Sequence, residues 1–367
     1  MAQEISIAER YGMFFPVGDT TGAPGLVRGL RSVPIFAGFA QAIAEHCPQA
    51  WVINYTNPMT ICTRILTRAA PGLKVFGCCH EVFGTQHILG ELARDCLGLA
   101  KIPARDEIRV NVLGINHFTW IDWAAYQVND LLEILREHIQ KPGVLRPYTR
   151  EEVDAQKNWF FDARQIKFTL FQRYRILAAA GDRHLAEFVP GFTRSPEELF
   201  RWGIIRIPVS WRIEAWNQGA LTAREYLSGQ RKFELGASGE EAIRQIKTLV
   251  GLGDFITNLN CENTGQAPDL PEHAVLETNA RFSHDRIEPV TACRLPPGVH
   301  AMVMRHVANQ EKIVEAALSR DKDLAFQAVF NDPTTALPID KAWEMFISLG
   351  QLEKGFLQAF PEVPKTS

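Results

Sequence analysis

The sequence has little that would tie it to a membrane or an oxidising compartment. No apolar run approaches the roughly 18–20 residues of a membrane span, and the opening MAQEISIAERYG carries no basic-then-apolar leader. A cytoplasmic location with no membrane partner is therefore the default expectation. Seven cysteines, an odd number scattered from Cys47 to Cys293, do not form the dense even framework of a small secreted domain. They read as free thiols with room for one metal ligand. The formal net charge is only -3, so neither a polybasic nucleic-acid surface nor charge-driven disorder is indicated, and no nucleic-acid partner is expected. There is no internal repeat, no low-complexity tract, and no G-x-G-x-x-G following an apolar strand. What remains is a chain of 367 residues, 46% hydrophobic, long enough for about two domains with substantial cores.

Glycine and proline punctuate the N-terminal third. Val17 to Gly25 contains three glycines and a proline and reads as a loop, either a ligand-facing one or a plain surface turn. Ser32-Val33-Pro34 predicts a helix start, leading to Ile35, Phe36, Phe39 and Ile43 and ending near Cys47-Pro48. Ala50–Tyr55 and Lys74–Gly77 predict short buried strands. Helices follow each, the first entered at Thr56-Asn57-Pro58 and the second after Cys78-Cys79-His80. This alternation argues for an α/β chain with parallel strands, whose ligands bind beyond the carboxyl ends of the strands. Asn57 and Cys79-His80 fall at two such ends.

Further along, Ile108–Leu113 and Phe118–Trp123 alternate apolar and polar residues about Gly114-Ile-Asn-His117, predicting paired strands. Thr149–Ala180 reads as mostly helical up to a turn at Gly181-Asp-Arg-His184. Ser238-Gly-Glu-Glu241 predicts a capping box, Asn258–Pro297 sheet and loop, and His300–Phe360 helices broken at Asp332-Pro333.

The chemistry-bearing residues gather in few places. Cys79, His80 and His117 offer thiolate and imidazole, which suit a divalent transition metal and leave positions open for substrate oxygens. The plainer reading makes the thiols small buried hydrophobes and His117 a satisfied loop histidine, since a spacing of 38 is not that of a zinc finger. Asn57 before Pro58 suits a helix cap as well as a ligand contact. Asp182 and His184 can each serve as a general base, although aspartate after glycine is also ordinary turn chemistry.

Four motifs in order, Asn54-Tyr-Thr-Asn-Pro-Met59, Gly77-Cys-Cys-His80, Gly114-Ile-Asn-His-Phe-Thr-Trp120 and Gly265-Gln-Ala-Pro-Asp-Leu-Pro271, resemble glycoside hydrolase family 4 across the chain. Gly181–Phe188 and Glu277–Phe282 resemble its α-galacturonidase branch. This family is the NAD-dependent exception among glycosidases. The resemblance implies a lactate/malate-dehydrogenase-like fold, with a truncated Rossmann-type parallel sheet in residues 1–112 and a larger α+β substrate domain in 113–367. It implies hydrolysis of a small-molecule glycoside by oxidation at C3 with NAD+, C2 deprotonation, elimination, water addition and re-reduction, assisted by Mn2+ or another divalent metal.

Carried over residue by residue, Cys79 and His117 match the metal ligands and His80 matches a group assisting the leaving oxygen. Asn57, with Asn116 beside His117, matches substrate contacts, and Asp182, or its competitor His184, the proton acceptor. Arg183 and Arg281 are candidates for pairing with a uronate carboxylate. In the family a strand and glycine-rich turn, then about two βα units, precede the equivalent of Glu9-Arg-Tyr-Gly12. Here Met1 lies eight residues before that point, so the expectation is a chain without the phosphate-binding half of its cofactor domain. Homo-oligomers are also implied. A non-catalytic relative retaining the metal or sugar pocket, and a 2-hydroxy-acid dehydrogenase, are the competing readings.

Overall fold

A computed structural model describes residues 2–234, 236 and 239–351. Among the described residues, nine strands form two sheets. In the first, β1 (Trp51–Asn54) and β2 (Lys74–Gly77) pair in parallel, and β7 (Phe255–Glu262), β8 (Val275–Ser283) and β9 (Arg286–Pro289) continue it antiparallel in the order β1-β2-β7-β8-β9. The expected α/β class is what the chain forms, but the sheet is mixed rather than wholly parallel. The crossover helix Met59–Ala69 enforces the one parallel pair, while β7 to β9 come from far along the chain and return by short connections. The second sheet orders β3 (Ile108–Ile115), β4 (Phe118–Tyr126) and β5 (Asn129–Asp130), with β6 (Leu177–Ala178) on the other side of β4.

The first sheet draws on both sides of residue 112. The helix Gly22–His46, whose buried face includes Leu26, Val27, Leu30 and Val33, packs against Ile61 and Ile65 of Met59–Ala69 and Ile313 and Val314 of the helix Pro297–Ser319. A second core behind the Gly114–His117 turn joins Phe118, Trp120 and Phe188. The rings of Phe118 and Phe188 stack at 4.9 Å and Phe118 meets Trp120 edge-on at 5.3 Å. Truncating any of these aromatics to alanine would cost about 3–5 kcal/mol, so the turn that carries His117 rests on a stiff base.

Two helix boundaries differ from the pattern-based expectation. The helix Gly22–His46 begins within the glycine-rich segment and runs through Pro34. Pro24, not Pro34, occupies its first turn, where a missing N–H costs nothing. Asp182–His184 is not a turn but the start of the helix Asp182–Phe188, with Gly181 before it. Thr149–Ala180 resolves into the helices Arg150–Asp154 and Gln165–Tyr174 and strand β6. Arg164 and Arg175, both at positive φ, bracket the longer helix. Ser238 of the expected capping box lies outside the described residues, and the helix after it spans Ala242–Leu249. The C-terminal helices Pro297–Ser319, Lys322–Phe330 and Ile339–Gly350 are as expected as far as residue 351, including the break at Asp332-Pro333.

Candidate active site and metal centre

Gly114 sits at φ 144°, where an added Cβ would lie 2.6 Å from the carbonyl oxygen of Phe118, so only glycine fits. Two residues on, Asn116 and His117 form the β3–β4 connection, His117 itself in the left-handed region at φ 63°. The two conformations turn the His117 ring against that of His184 from the helix Asp182–Phe188. Their centroids are 3.8 Å apart and their planes 25° from parallel.

The ligand atoms of Asp19, His117 and His184 lie within 4.8 Å of one another. A hydrogen-bond chain orders two of them. Thr20 Oγ1 donates to Asp19 Oδ1 at 2.8 Å and meets His117 Nδ1 at 2.9 Å. Having one proton, already given to Asp19, the hydroxyl accepts from Nδ1–H, which leaves His117 Nε2 with an open lone pair. His184 Nε2 faces Glu81 Oε1 at 3.5 Å, whereas its Nδ1 is buried with no hydrogen-bond partner. An orphaned buried imidazole nitrogen calls for an explanation.

Electrostatics agrees with that arrangement. Burial, then the neighbouring His184, pushes His117 down to about 3, and burial also lowers His184. Both rings are neutral near pH 7. Burial by itself would raise Asp19, but His184 and His117 outweigh it and hold the carboxyl below its usual range. Glu81 is likewise pressed upward by burial, yet His184, His117, the Gly181 N–H donated at 2.7 Å and Arg183 bring it to about 2. Two neutral imidazoles and an anionic carboxylate form a donor set that a divalent cation satisfies.

Supporting residues fix the set. Glu187 Oε1 accepts from the backbone N–H groups of Val17 at 2.6 Å and Gly18 at 2.9 Å, tying the loop that carries Asp19 to the helix that carries His184. Asp182 is buried and its oxygens accept the N–H groups of Ile166 at 3.1 Å and Lys167 at 2.9 Å. Burial, followed by Asp162, raises its carboxyl to about 7. It thus secures the start of the helix Gln165–Tyr174.

The remaining sequence-derived residues surround this centre. The Cys79 thiol is buried, and burial, then Glu277 and Glu81, push it well above its ordinary value. It stands outside the three-residue group. Asn116 is fully buried, donating to Glu277 Oε2 at 3.5 Å, while Asn258 donates to Glu277 Oε1 at 2.7 Å. Burial pushes Glu277 up to about 7 despite those amides. The Asn57 side-chain oxygen, beyond the end of β1, is buried and unpartnered. His80 is exposed, its Nδ1 2.9 Å from Glu240 Oε1.

A cavity of about 630 Å³ opens beside the centre, its lining including His80, Glu81, Lys167, Gly181 and Arg183. The Arg183 guanidinium lies 4.9 Å over the Phe160 ring and donates to the Trp159 carbonyl at 3.5 Å. Arg281 does not share this space. It projects from β8 into an exposed cluster, pairing with Asp254 at 2.5 Å and Glu288 at 3.5 Å.

The family 4 glycosyl hydrolase model matches residues 1–94, and the model of that family's C-terminal domain matches residues 112–335. The chain belongs to glycoside hydrolase family 4. It is an enzyme of the glycosidase kind, hydrolysing glycosyl bonds. An α-galacturonidase of Thermoanaerobacterium saccharolyticum is 46% identical over 98% of this chain and 78% of its own length. The crystal structure of lplD from Bacillus subtilis, 43% identical, superposes with a TM-score of 0.88 over 95% of this chain and 79% of that one. A 6-phospho-α-glucosidase from gut microorganisms, solved with NAD and Mn2+, is 18% identical and shares the fold at a TM-score of 0.75, covering 99% of this chain and 78% of that one. Among the described residues, no helix is long and apolar enough to cross a membrane.

Sequence reasoning missed Asp19, Glu81, Glu187 and Glu277. Asp19 had a signal, since it lies in the glycine-rich segment that could face a ligand. Glu81 lies in a predicted helix, Glu277 in a predicted sheet-and-loop segment and Glu187 just past the predicted Gly181–His184 turn, and the tertiary partners of all three have no local signature.

Proposed function

We propose that this family 4 enzyme is an α-galacturonidase, cleaving the α-glycosidic bond of a galacturonide at the Asp19–His117–His184 centre. The observation that carries the reading is Arg183, a cationic fork in the wall of the cavity beside that centre. A planar guanidinium suits a carboxylate, and the stacked Phe160 limits the freedom it loses on binding. Relatives named α-galacturonidase at 41–46% identity support the same substrate class.

The residues present fit a divalent cation. His117 Nε2, His184 Nδ1 and the Asp19 carboxylate would hold it, and the buried, partnerless Nδ1 supports that assignment. Mn2+ bound there would act as a Lewis acid toward sugar oxygens. In this arrangement His184 is a ligand rather than the proton acceptor, and Asp182 positions the helix Gln165–Tyr174. Cys79, expected as a ligand with His117, is then a thiol lying beside Glu277 and Asn116. His80, beside Glu240 in the cavity wall, would give a proton to the leaving oxygen, and the unpartnered amide oxygen of Asn57 would accept from a sugar hydroxyl.

NAD+ is the family's expected redox partner. β1 is followed by Tyr55-Thr-Asn-Pro and β2 by Cys78-Cys-His, neither a glycine-rich turn able to cradle a pyrophosphate, so the nicotinamide step has no residue of these turns assigned to it. Residues 1–112 and 113–367 are proposed as the cofactor-side and substrate-side units, joined by the sheet they share. The test is turnover of nitrophenyl α-galacturonide against nitrophenyl α-galactoside with Mn2+ and NAD+ supplied. At least tenfold preference for the uronide is expected, and equal kcat/KM for the two would overturn the assignment.

A further inference from the structure

A second crevice, of about 590 Å³, lies where residues of β3 and β4 meet residues of β7 and β8. It shares no lining residue with the catalytic cavity. The helix Glu81–Leu97 stands between the two, giving Gln86 to the crevice and Glu81, Gly84, His87 and Ile88 to the cavity. Trp123, from β4, is 47% exposed in the crevice wall. Asn111 and Asn279 line it too, and both are anchored. Asn111 donates to Asp122 Oδ1 at 2.8 Å and Asn279 to the Val110 carbonyl at 2.7 Å, so each amide keeps a second N–H and an oxygen with which to bind a ligand.

The three arginines of this wall are not equivalent. Arg105 pairs with Glu241, and its guanidinium lies 4.1 Å over the Phe83 ring. Arg244 lies 4.4 Å over Phe255 and shares Glu241 at 3.8 Å and Asp106 at 3.9 Å. Asp254, also in the lining, is taken by Arg281. Arg109 is different. Among the described residues its guanidinium has no ion-pair or hydrogen-bond partner.

We propose that this crevice binds an acidic oligosaccharide, a short galacturonate chain, apart from the catalytic centre. One uncompensated guanidinium suits one carboxylate, bound bidentate. A polyphosphate carries several charges in a row and would meet Asp106 and Glu241 as well, at a repulsive cost. A sugar of galacto configuration turns its hydrogens at C3, C4 and C5 to one face, which the indole of Trp123 can cover, while its hydroxyls meet the amides of Asn111 and Asn279. A neutral chain would leave Arg109 unpaired, and a lone carboxylate would leave Trp123 uncovered. The choice of galacturonate among uronates rests on the substrate reading above. Bound here, oligomeric substrate stays close to the enzyme between turnovers, at a raised effective concentration.

Indole N–H resonances of the full, isotope-labelled chain, titrated with trigalacturonate, test this. The Trp123 signal is identified by its absence from Trp123→Phe. In the wild type it should move to saturation, and Arg109→Gln should weaken the binding it reports by about tenfold or more, as for a lost hydrogen bond between charged groups. Galactotriose, which has no carboxylate, should bind the wild type more weakly by a similar factor. Arg183→Lys, altered in the catalytic cavity, should leave the Trp123 response unchanged. A Trp123 signal unmoved at roughly millimolar trigalacturonate, an equal response to galactotriose, or indifference to Arg109→Gln would overturn the proposal. So would tighter binding of ATP, which would make the crevice a polyphosphate site, or loss of the response in Arg183→Lys, which would put the ligand in the catalytic cavity. The substrate reading fails separately, by equal turnover of nitrophenyl galacturonide and galactoside, a result that leaves the Trp123 response readable.

Discussion

The imidazole of His184 lies flat against that of His117, with 3.8 Å between ring centroids. Two cationic rings could not share that contact, and burial keeps both neutral, so the pair presents lone pairs rather than charge. Asp19 completes the set from a different part of the chain.

Glu187 holds the Asp19 loop without entering the donor set. Replacing it by alanine should free the N–H groups of Val17 and Gly18 and weaken Mn2+ binding by about tenfold, the usual range for outer-shell partners. Glu187→Gln, which keeps an acceptor oxygen, should recover most of that affinity. Calorimetric titration with Mn2+ distinguishes the two, and equal affinity in all three proteins would remove the positioning role.

Asp182→Ala should act on stability. It leaves the N–H groups of Ile166 and Lys167 buried without acceptors, a loss of roughly 2–6 kcal/mol at about 1–3 kcal/mol per orphaned group. Urea unfolding measures it. A variant as stable as the wild type but inactive would instead return Asp182 to the chemistry.

Arg183→Lys keeps the charge but not the fork. Against nitrophenyl galacturonide kcat/KM should fall about 10- to 100-fold, since hydrogen bonds to charged groups contribute about 1.5–3 kcal/mol. Inhibition by free galacturonate should weaken in parallel, while inhibition by free galactose should not. Arg281→Lys, altering an exposed ion-pair cluster, should change neither.

His306 gives a pH-dependent prediction remote from the substrate. It is buried, its Nε2 2.8 Å from the carbonyl oxygen of Phe188 and its Nδ1 3.2 Å from Thr21 Oγ1, and burial lowers its pKa. Below an unfolded value of about 6.5 the unfolded chain binds the extra proton more readily, so this contribution to stability is present at pH 7 and declines as pH falls. The stability difference between the wild type and His306→Gln should therefore shrink between pH 7 and pH 5. A difference that grows toward pH 5 would show the opposite sign of shift.

Local patterns made much of this legible. Apolar runs located β1 and β2, and alternation located β3 and β4, because those signals depend on a few neighbouring residues. The antiparallel addition of β7 to β2 depends on a contact between Gly77 and Asn260, which no local pattern encodes. The same limit governs the site. His117 and His184 were readable as polar residues in motifs, but their stacking, the joining of Asp19 to them, and the diversion of Asp182 to backbone N–H groups are products of tertiary packing. Pro34 misled for a related reason, since a proline near a serine resembles a helix start even when an earlier proline occupies the true first turn.

The account turns on the cation. Mn2+ titration followed by electron paramagnetic resonance, on the wild type and on His117→Ala, His184→Ala and Asp19→Asn, measures it without any turnover. One bound Mn2+ per chain in the wild type is expected, with affinity reduced at least tenfold in each variant and the fold intact by circular dichroism. Mn2+ binding unchanged in all three variants, or lost only on replacing Cys79, would contradict the assignment of Asp19, His117 and His184.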